Sequence, residues 1–180
     1  MPLPVERIYT IDDIYALPEG KRAELIDGQI YYMAPSNTRH QRIVNCINTE
    51  INLHIRTNNG SCEVFPAPFA VFLNENDTNY VEPDISVICD RDKLTDQGCN
   101  GAPDWIIEVV SPSSKAMDYG KKLFKYRTAG VTEYWIVDPG KNRVLTWNFQ
   151  NGDVGDYSFT DDISSGIYPG FSITLTNLDI

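Results

Sequence analysis

Two acidic residues stand inside apolar segments of this chain, and their burial limits what the chain can fold into. Asp84 opens the apolar run 85–89, and Glu108 interrupts the run 105–110. Both runs have the length and composition of buried β-strands. Because an unpaired buried carboxylate is costly, a divalent cation shared by both acids is one solution, and Mg²⁺ prefers oxygen ligands. The alternative is a salt bridge from each acid to a surface lysine or arginine.

The pattern along the chain predicts a mixed α/β fold. Isoleucines recur at every fourth position from 43 to 55, which predicts a helix from residue 36 or 37 to about 56. Asp27-Gly28 predicts a tight turn between hairpin strands 22–26 and 29–33. The order strand, helix, strand over 104–111, 113–129 and 133–138 implies a right-handed crossover and a parallel pair.

The remaining segments have weaker signals. They predict a short helix at 10–17, a loop at 90–103, strands at 62–65, 69–73, 80–89 and 144–149, and short edge strands after 150.

The helix predicted at 113–129 carries a local excess of lysine. Its apolar stripe is expected to consist of Ala116, Gly120, Leu123 and Phe124. At about 100° per residue, Lys122 falls at the border of that stripe, whereas Lys121 and Lys125 point further outward. Lys122 is therefore the lysine expected to reach a site at the end of the preceding strand. The alternative is a flanking lysine without a role.

Length and cysteine spacing bound the class of protein. At 180 residues the chain fits one domain, 1–180. The four cysteines, at 46, 62, 89 and 99, show no C-x-x-C spacing, and the N-terminus lacks an apolar signal segment. We therefore expect reduced cysteines, no structural zinc and a cytoplasmic location. No apolar run approaches the roughly 20 residues that cross a bilayer, so no membrane partner is expected. The sequence leaves a homodimer open.

The charge of the chain is distributed unevenly. The formal net charge is −10, but residues 113–129 carry +4 and residues 37–56 carry +2, which leaves −16 on the rest. This balance argues against a protein that coats nucleic acid non-specifically, because such binding depends on Lys and Arg. A local polyanion contact remains open, as does a merely solvated basic helix face.

Three further polar residues have competing interpretations. Glu24 is either a third acid at the cation or a cross-strand partner of a basic residue at position 21 or 22. His40 is either an exposed residue of the first helical turn or a phosphate ligand at a helix N-terminus. Asp104 could compete for the metal, but it lies about 13 Å from Glu108 along an extended strand, so one ion cannot bind both. Neither a G-x-S-x-G motif nor a P-loop is present.

Six sequence blocks follow one another along nearly the whole chain. They are residues 24–30, 33–35 with His40, Glu82-Pro83-Asp84, 104–113 with Glu108, the set Asp118, Lys122 and Tyr126, and 130–139. In this order they resemble the PD-(D/E)XK, restriction-endonuclease-like nucleases, and within them the bacterial Uma-two family, whose members are largely named as endonucleases by similarity. One position departs from the superfamily pattern: the lysine expected two residues after the glutamate is Val110, and Lys122 matches a lysine moved to the following helix.

The resemblance implies a restriction-endonuclease-like fold, with a central mixed β-sheet flanked by helices and an N-terminal hairpin. It also implies an endonuclease that hydrolyses phosphodiester bonds in DNA with Mg²⁺ or Mn²⁺. Asp84, Glu108 and Glu24 would then be metal ligands, Lys122 would orient water or stabilise charge, and His40 would join the catalytic set. A catalytically silent nucleic-acid or protein-binding module is the alternative, because fold does not fix function.

Overall fold

The computed structural model describes residues 7–74 and 76–176, in which short strands are interspersed with helices. The first half contains α1 (Ile11–Tyr15), β1 (Ala23–Ile26), β2 (Gln29–Tyr32), α2 (Thr38–Thr57), β3 (Glu63–Pro66), β4 (Val71–Phe72), β5 (Ile85–Ile88), β6 (Leu94–Thr95), β7 (Gly98–Asn100) and β8 (Trp105–Val109). A π-helical turn (Met117–Lys122) and α3 (Leu123–Ala129) follow, and then β9 (Glu133–Asp138), β10 (Arg143–Asn148), β11 (Val154–Ser158), β12 (Ile163–Ser164) and β13 (Ser172–Ile173).

A six-stranded mixed sheet forms the centre of the structure, with the strand order β11-β10-β9-β8-β5-β3. The pair β8–β9 is parallel, which confirms the predicted parallel pair, and the other four pairs are antiparallel. Of the four inner strands, β5, β8 and β9 are buried at every residue. These strands are covered on both faces, which explains why their sequences are near-continuous apolar runs.

Helix α2 covers one face of this sheet. Its isoleucines at 43, 47, 51 and 55 are each at most 6% exposed, and they pack against Val87, Trp105 and Ile107. Asn37 caps the helix by accepting a hydrogen bond from the backbone N–H of His40. The predicted helix and its N-terminus are therefore confirmed.

The opposite face of the sheet is covered by the β1–β2 hairpin, the π-helical turn and α3. The hairpin is joined to the rest of the fold where Leu25 and Tyr80 form an isolated bridge. A small three-stranded sheet, β4-β7-β6, extends this layer. Tyr126 of α3 and Ile106 of β8 lie in the same core cluster. The expected mixed α/β architecture with flanking helices is confirmed.

Two segments differ from the sequence-based expectation. Residues 90–103, expected to be a loop, contain a 3₁₀ turn and the strands β6 and β7. The strand expected over 80–89 is reduced to β5, because Pro83 cannot donate to a ladder and separates the strand from the bridges made by Tyr80 and Val81.

The segment 113–129 is helical, but its buried face is not the expected one. Phe124 is 71% exposed, whereas Asp118, Lys122, Lys125 and Tyr126 are buried. The expectation that Lys125 points outward is therefore wrong, since this lysine pairs with Asp27 of the hairpin turn. The π-helical turn gives the segment more residues per turn than the 3.6 assumed, and so shifts which residues face inward.

The expectation of four reduced cysteines is also wrong. Cys62 and Cys89 form a disulfide bond that joins the residue before β3 to the residue after β5. The β3–β5 pairing brings these two ends together, a proximity that cysteine spacing in the sequence does not reveal. Cys46 and Cys99 are free thiols. Within the described residues, no helix is both long and apolar enough to span a membrane.

Candidate functional site

The side chain of Lys122 lies at the centre of a cluster of buried acids. Its Nζ is 2.8 Å from Glu24 Oε2 and 2.9 Å from Glu108 Oε1. Asp118, one turn earlier in the chain, has its Oδ1 3.8 Å from the same nitrogen. All four side chains are at most 6% exposed. Charges this deeply buried are stable only when they are paired with one another.

Side-chain alternation along β8 directs Glu108 into this cluster. Ile107 packs in the core beneath α2, whereas Ile106 packs in the core on the opposite face. Glu108 follows Ile106 by two residues and so shares its face, where it meets the π-helical turn. Glu24 approaches from β1, and its Oε1 also accepts a hydrogen bond from the backbone N–H of Glu82 at 3.0 Å.

Asp84 and His40 form the second half of the site. Asp84 Oδ2 accepts a hydrogen bond from the Val109 backbone N–H at 2.8 Å and lies 3.1 Å from His40 Nε2. In the other direction, Glu108 Oε2 lies 3.4 Å from the backbone N of Asp84. The two acids are thus linked across the adjacent strands β5 and β8, as the sequence predicted. His40, the third residue of α2, is 6% exposed.

Burial and mutual charge shift the pKa values of this cluster. Burial is the main cause that raises the pKa of Glu108 to about 8, although the nearby Lys122 opposes the shift. Burial also raises the pKa of Asp118 to about 6. Burial lowers the pKa of Lys122, but Glu108, Glu24 and Asp118 outweigh it, so the net shift is upward. Likewise, the hydrogen bond and charge of Asp84 outweigh burial and raise the pKa of His40.

An open groove of about 1000 Å³ gives access to these residues. Its walls are formed by residues 30–37 of the hairpin and the following segment, by residues 109–115 after β8, and by residues 138–140 after β9. Tyr32, on the hairpin wall, is 68% exposed. The floor is acidic and the opening is wide, which is an arrangement suited to an extended ligand rather than to a small enclosed one.

The structure brings together all five residues that the sequence singled out. Glu24 pairs with Lys122 rather than with the residues at 21 or 22; Arg22 pairs with Glu82 instead. His40 is buried against Asp84 and is not an exposed cap residue. Asp104 does not join the site, because its carboxylate accepts a hydrogen bond from the backbone N–H of Cys89.

Two members of the cluster were not predicted as site residues. Asp118 lies on the π-helical turn beside Lys122, and the Tyr126 hydroxyl donates a hydrogen bond to Glu108 Oε1 at 2.6 Å. Both positions had appeared in the pattern with Lys122 at four-residue steps. Side chains four residues apart lie on one helix face, so this spacing was the sequence signal from which Asp118 and Tyr126 could have been predicted as neighbours of Lys122.

The donor set suits a hard divalent cation, although the acids are now held by a lysine. Carboxylate oxygens from Glu24, Asp84 and Glu108 are the ligand type that Mg²⁺ and Mn²⁺ prefer. Among the described residues, however, no three His, Cys, Asp or Glu side chains converge closely enough to hold an ion as they stand. Lys122 Nζ lies between two of the acids, so a cation would take over contacts that the ammonium now makes.

Comparison with known proteins places the chain in a family. A family model described as "Uma2: Putative restriction endonuclease" matches residues 11–176. An uncharacterized protein of Synechocystis, slr1290, is 35% identical over 140 residues, which are 77% of this chain and 71% of the relative.

A solved structure agrees with this assignment at the level of the fold. It is the crystal structure of a protein from Anabaena variabilis described as a putative nuclease belonging to DUF820. The two structures superpose with a TM-score of 0.76 at 21% identity, over 94% of this chain and 96% of that one. The mixed sheet, the flanking helices and the match over residues 11–176 lead to one conclusion: this chain belongs to the Uma2 family and has a restriction-endonuclease-like fold.

Proposed function

We propose that this protein is a Mg²⁺- or Mn²⁺-dependent endonuclease that hydrolyses phosphodiester bonds in DNA. One observation carries the proposal: Glu24, Asp84, Glu108 and Lys122 come from separate elements and meet at the floor of an open groove. Glu24, Glu108 and Lys122 are buried and Asp84 is partly buried. Gathering such charges in one place is costly for folding and is typical of sites that do chemistry. The family assignment to putative restriction endonucleases supports the same reading.

In this proposal the residues divide into three roles. Asp84, Glu108 and Glu24 would hold the cation, which when bound would neutralise phosphate charge and supply an acidified water. Lys122 would keep one positive charge beside the scissile phosphate, where negative charge develops. His40 would orient Asp84 through the contact between Nε2 and Oδ2, and Tyr126 would orient Glu108 through its hydroxyl.

The proposal is tested by cleavage assays with defined variants. Plasmid and oligonucleotide substrates are incubated with Mg²⁺, Mn²⁺ or EDTA and the wild type, Asp84→Asn or Glu108→Gln. Each substitution keeps the side-chain shape but removes a charge that the cation needs, so we expect divalent-dependent cleavage to be abolished. Asp156→Asn, which alters a carboxylate paired with Arg143 on an outer strand, is the control and should cleave like the wild type.

Wild-type activity in either purified site variant would reject this active site. Circular dichroism must first show that the variants are folded.

A second candidate is a nucleic-acid or protein-binding module without catalysis. It is favoured by one feature of the site: Lys122 already pairs with Glu24 and Glu108, so these two carboxylates are held together without a metal ion. This candidate predicts binding to oligonucleotides that is unaffected by EDTA, together with no cleavage under any divalent condition.

A further inference from the structure

Asp118 has a buried oxygen that lacks a hydrogen-bond partner. The residue is 1% exposed, and its Oδ1 makes no hydrogen bond to any part of the chain that the structure describes. The same oxygen lies 3.8 Å from Lys122 Nζ, close enough for charge attraction but too far for a hydrogen bond. Leaving such an oxygen unsatisfied is costly, so its position calls for an explanation.

The Lys122 ammonium donates hydrogen bonds to two carboxylates that would be ligands in the proposed metal site. It donates to Glu24 Oε1 and to Glu108 Oε1 at 3.0 and 2.9 Å. A divalent cation held by these carboxylates would neutralise their negative charge and would repel the ammonium. Lys122 is buried and therefore needs another anionic partner at once.

Asp118 is placed to be that partner. It lies four residues before Lys122 on the π-helical turn, and the 3.8 Å between Asp118 Oδ1 and Lys122 Nζ is a gap of the size that side-chain rotation can close. The other nearby acid, Asp84, already has its Oδ2 engaged by His40 and by the Val109 backbone N–H. π-Helical turns are rare and are found frequently at functional sites, which is in keeping with a local adaptation here.

We propose that Asp118 is a positioning residue that receives the Lys122 ammonium when a divalent cation occupies the carboxylates of Glu24 and Glu108. In the metal-free protein Lys122 holds the acids together; in the metal-bound protein it moves to Asp118 and stays beside the groove. This inference rests on the proposed metal site and adds to it an exchange of cations, with Asp118 as the acceptor of the displaced one.

The test measures metal affinity directly and does not depend on cleavage. Isothermal titration calorimetry with Ca²⁺ and Mn²⁺ is applied to the wild type, Asp118→Asn, Lys122→Met and the double variant. Asp118→Asn should weaken binding by about tenfold or more, the size typical of losing a partner behind the ligands. In the Lys122→Met background the same change should weaken binding by less than about threefold, because no ammonium remains to be received.

Two controls separate this effect from general electrostatics and from misfolding. Asp138→Asn removes another buried carboxylate of the same groove, one that pairs with Lys115 and not with Lys122. It should leave affinity within about threefold of the wild type, as expected for a charge that acts only at a distance. Lys122→Gln, which retains hydrogen-bonding capacity, replaces Lys122→Met if the latter is unfolded by circular dichroism.

Each outcome decides between defined alternatives. An equal loss of affinity on Asp118→Asn in both backgrounds would make Asp118 a metal ligand and overturn the exchange. Unchanged affinity in Asp118→Asn would overturn it too, while leaving the proposed endonuclease intact. If the wild type binds neither ion, both the exchange and the metal dependence of the proposed function fail.

Discussion

At the scale of single residues, the site depends on one ammonium group surrounded by carboxylates. Lys122 is buried, and its partners Glu24, Glu108 and Asp118 come from β1, β8 and the π-helical turn. Removing one member of a buried ion pair typically costs about 3–5 kcal/mol, because the remaining charge is left unsolvated. The lysine therefore links three elements of the fold as well as serving the proposed chemistry.

The position of Lys122 distinguishes it from the neighbouring lysine. Lys122→Met should lower the cleavage rate by about 100-fold or more, the effect of losing one preorganised group that stabilises developing charge. Lys121→Met is the matched control, because Lys121 contacts Tyr31 on the groove wall rather than the acids. Single-turnover cleavage with saturating Mn²⁺ measures both variants. Equal defects would indicate a general basic surface instead of a specific role.

The raised pKa values predict how stability changes with pH. The pKa of Glu108 is raised to about 8 and that of Asp118 to about 6. A folded state with raised acid pKa values holds protons that the unfolded state has released, so these groups favour folding at low pH. Their contribution is lost as the pH rises through the raised values. We therefore expect the free energy of unfolding of the metal-free protein to fall between pH 5 and pH 8.

Urea denaturation at several pH values, with EDTA and with Mn²⁺, measures this trend. Mn²⁺ should reverse it, since a cation binds ionised carboxylates and binding to the folded state is stabilising. Glu108→Gln removes one titrating group and should flatten the metal-free profile. A free energy of unfolding that rises with pH in EDTA would contradict the raised pKa values of Glu108 and Asp118.

At the scale of elements, the sequence predicted those parts that have a strong local signal. α2 was located from the four-residue spacing of its isoleucines, the hairpin turn from the pair Asp27-Gly28, and β8 and β9 from their apolar runs. The same reasoning misplaced the face of the segment 113–129, because a π-helical turn changes the number of residues per turn and has no period of its own in the sequence.

The site was partly predictable for a related physical reason. An acid inside an apolar strand needs a partner, so Asp84 and Glu108 could be identified from their apolar neighbours in the sequence. Glu24 and His40 could not, because their partners lie on elements distant in sequence and the meeting point depends on the tertiary fold. The resemblance to a nuclease family, rather than the pattern, identified them.

The disulfide bond between the flanks of β3 and β5 can be tested by counting thiols. Denaturation without reductant should expose two reactive thiols, those of Cys46 and Cys99, and reduction should raise the count to four. In the native protein Cys99 should react slowly with iodoacetamide, because burial raises the pKa of its thiol to about 11. Four thiols before reduction would show that the bond does not form in the purified protein.

The same bond should contribute to stability. It closes a loop with a sequence separation of 27 residues, and a loop of this size is expected to contribute about 3–4 kcal/mol by restricting the unfolded chain. The double variant Cys62→Ser/Cys89→Ser should lose this amount in urea denaturation, whereas Cys46→Ser should change little. A cytoplasmic protein would face reductants that disfavour such a bond, so the thiol count in freshly lysed cells also bears on location.

At the scale of the whole molecule, the charge distribution limits how the protein meets a polyanion. The net charge is −10, and part of the local positive charge is already used internally. Lys122 pairs with the buried acids, Lys125 with Asp27 and Lys115 with Asp138. The segment 113–129 is therefore less basic toward solvent than its residue count suggests.

Oligonucleotide binding should accordingly depend only weakly on salt. Few phosphates can be neutralised, so we expect a slope in fluorescence anisotropy titrations that corresponds to about two to four phosphates. Ca²⁺ should strengthen binding relative to EDTA, because it fills the acidic floor of the groove and adds a ligand for phosphate. A steep slope that Ca²⁺ leaves unchanged would place the contact on another surface and favour the binding-module candidate.

The two outer strands of the central sheet affect how copies of this protein can associate. β3 ends at Pro66, which has no N–H to donate, and its Glu63 pairs with Arg91. β11 presents Asp156, which pairs with Arg143 of the neighbouring strand. Prolines and charges on outer strands hinder the addition of a further strand from another molecule. These two edges should therefore resist pairing with a strand of another copy, and we expect any homodimer to form by side-chain packing rather than by extension of the central sheet.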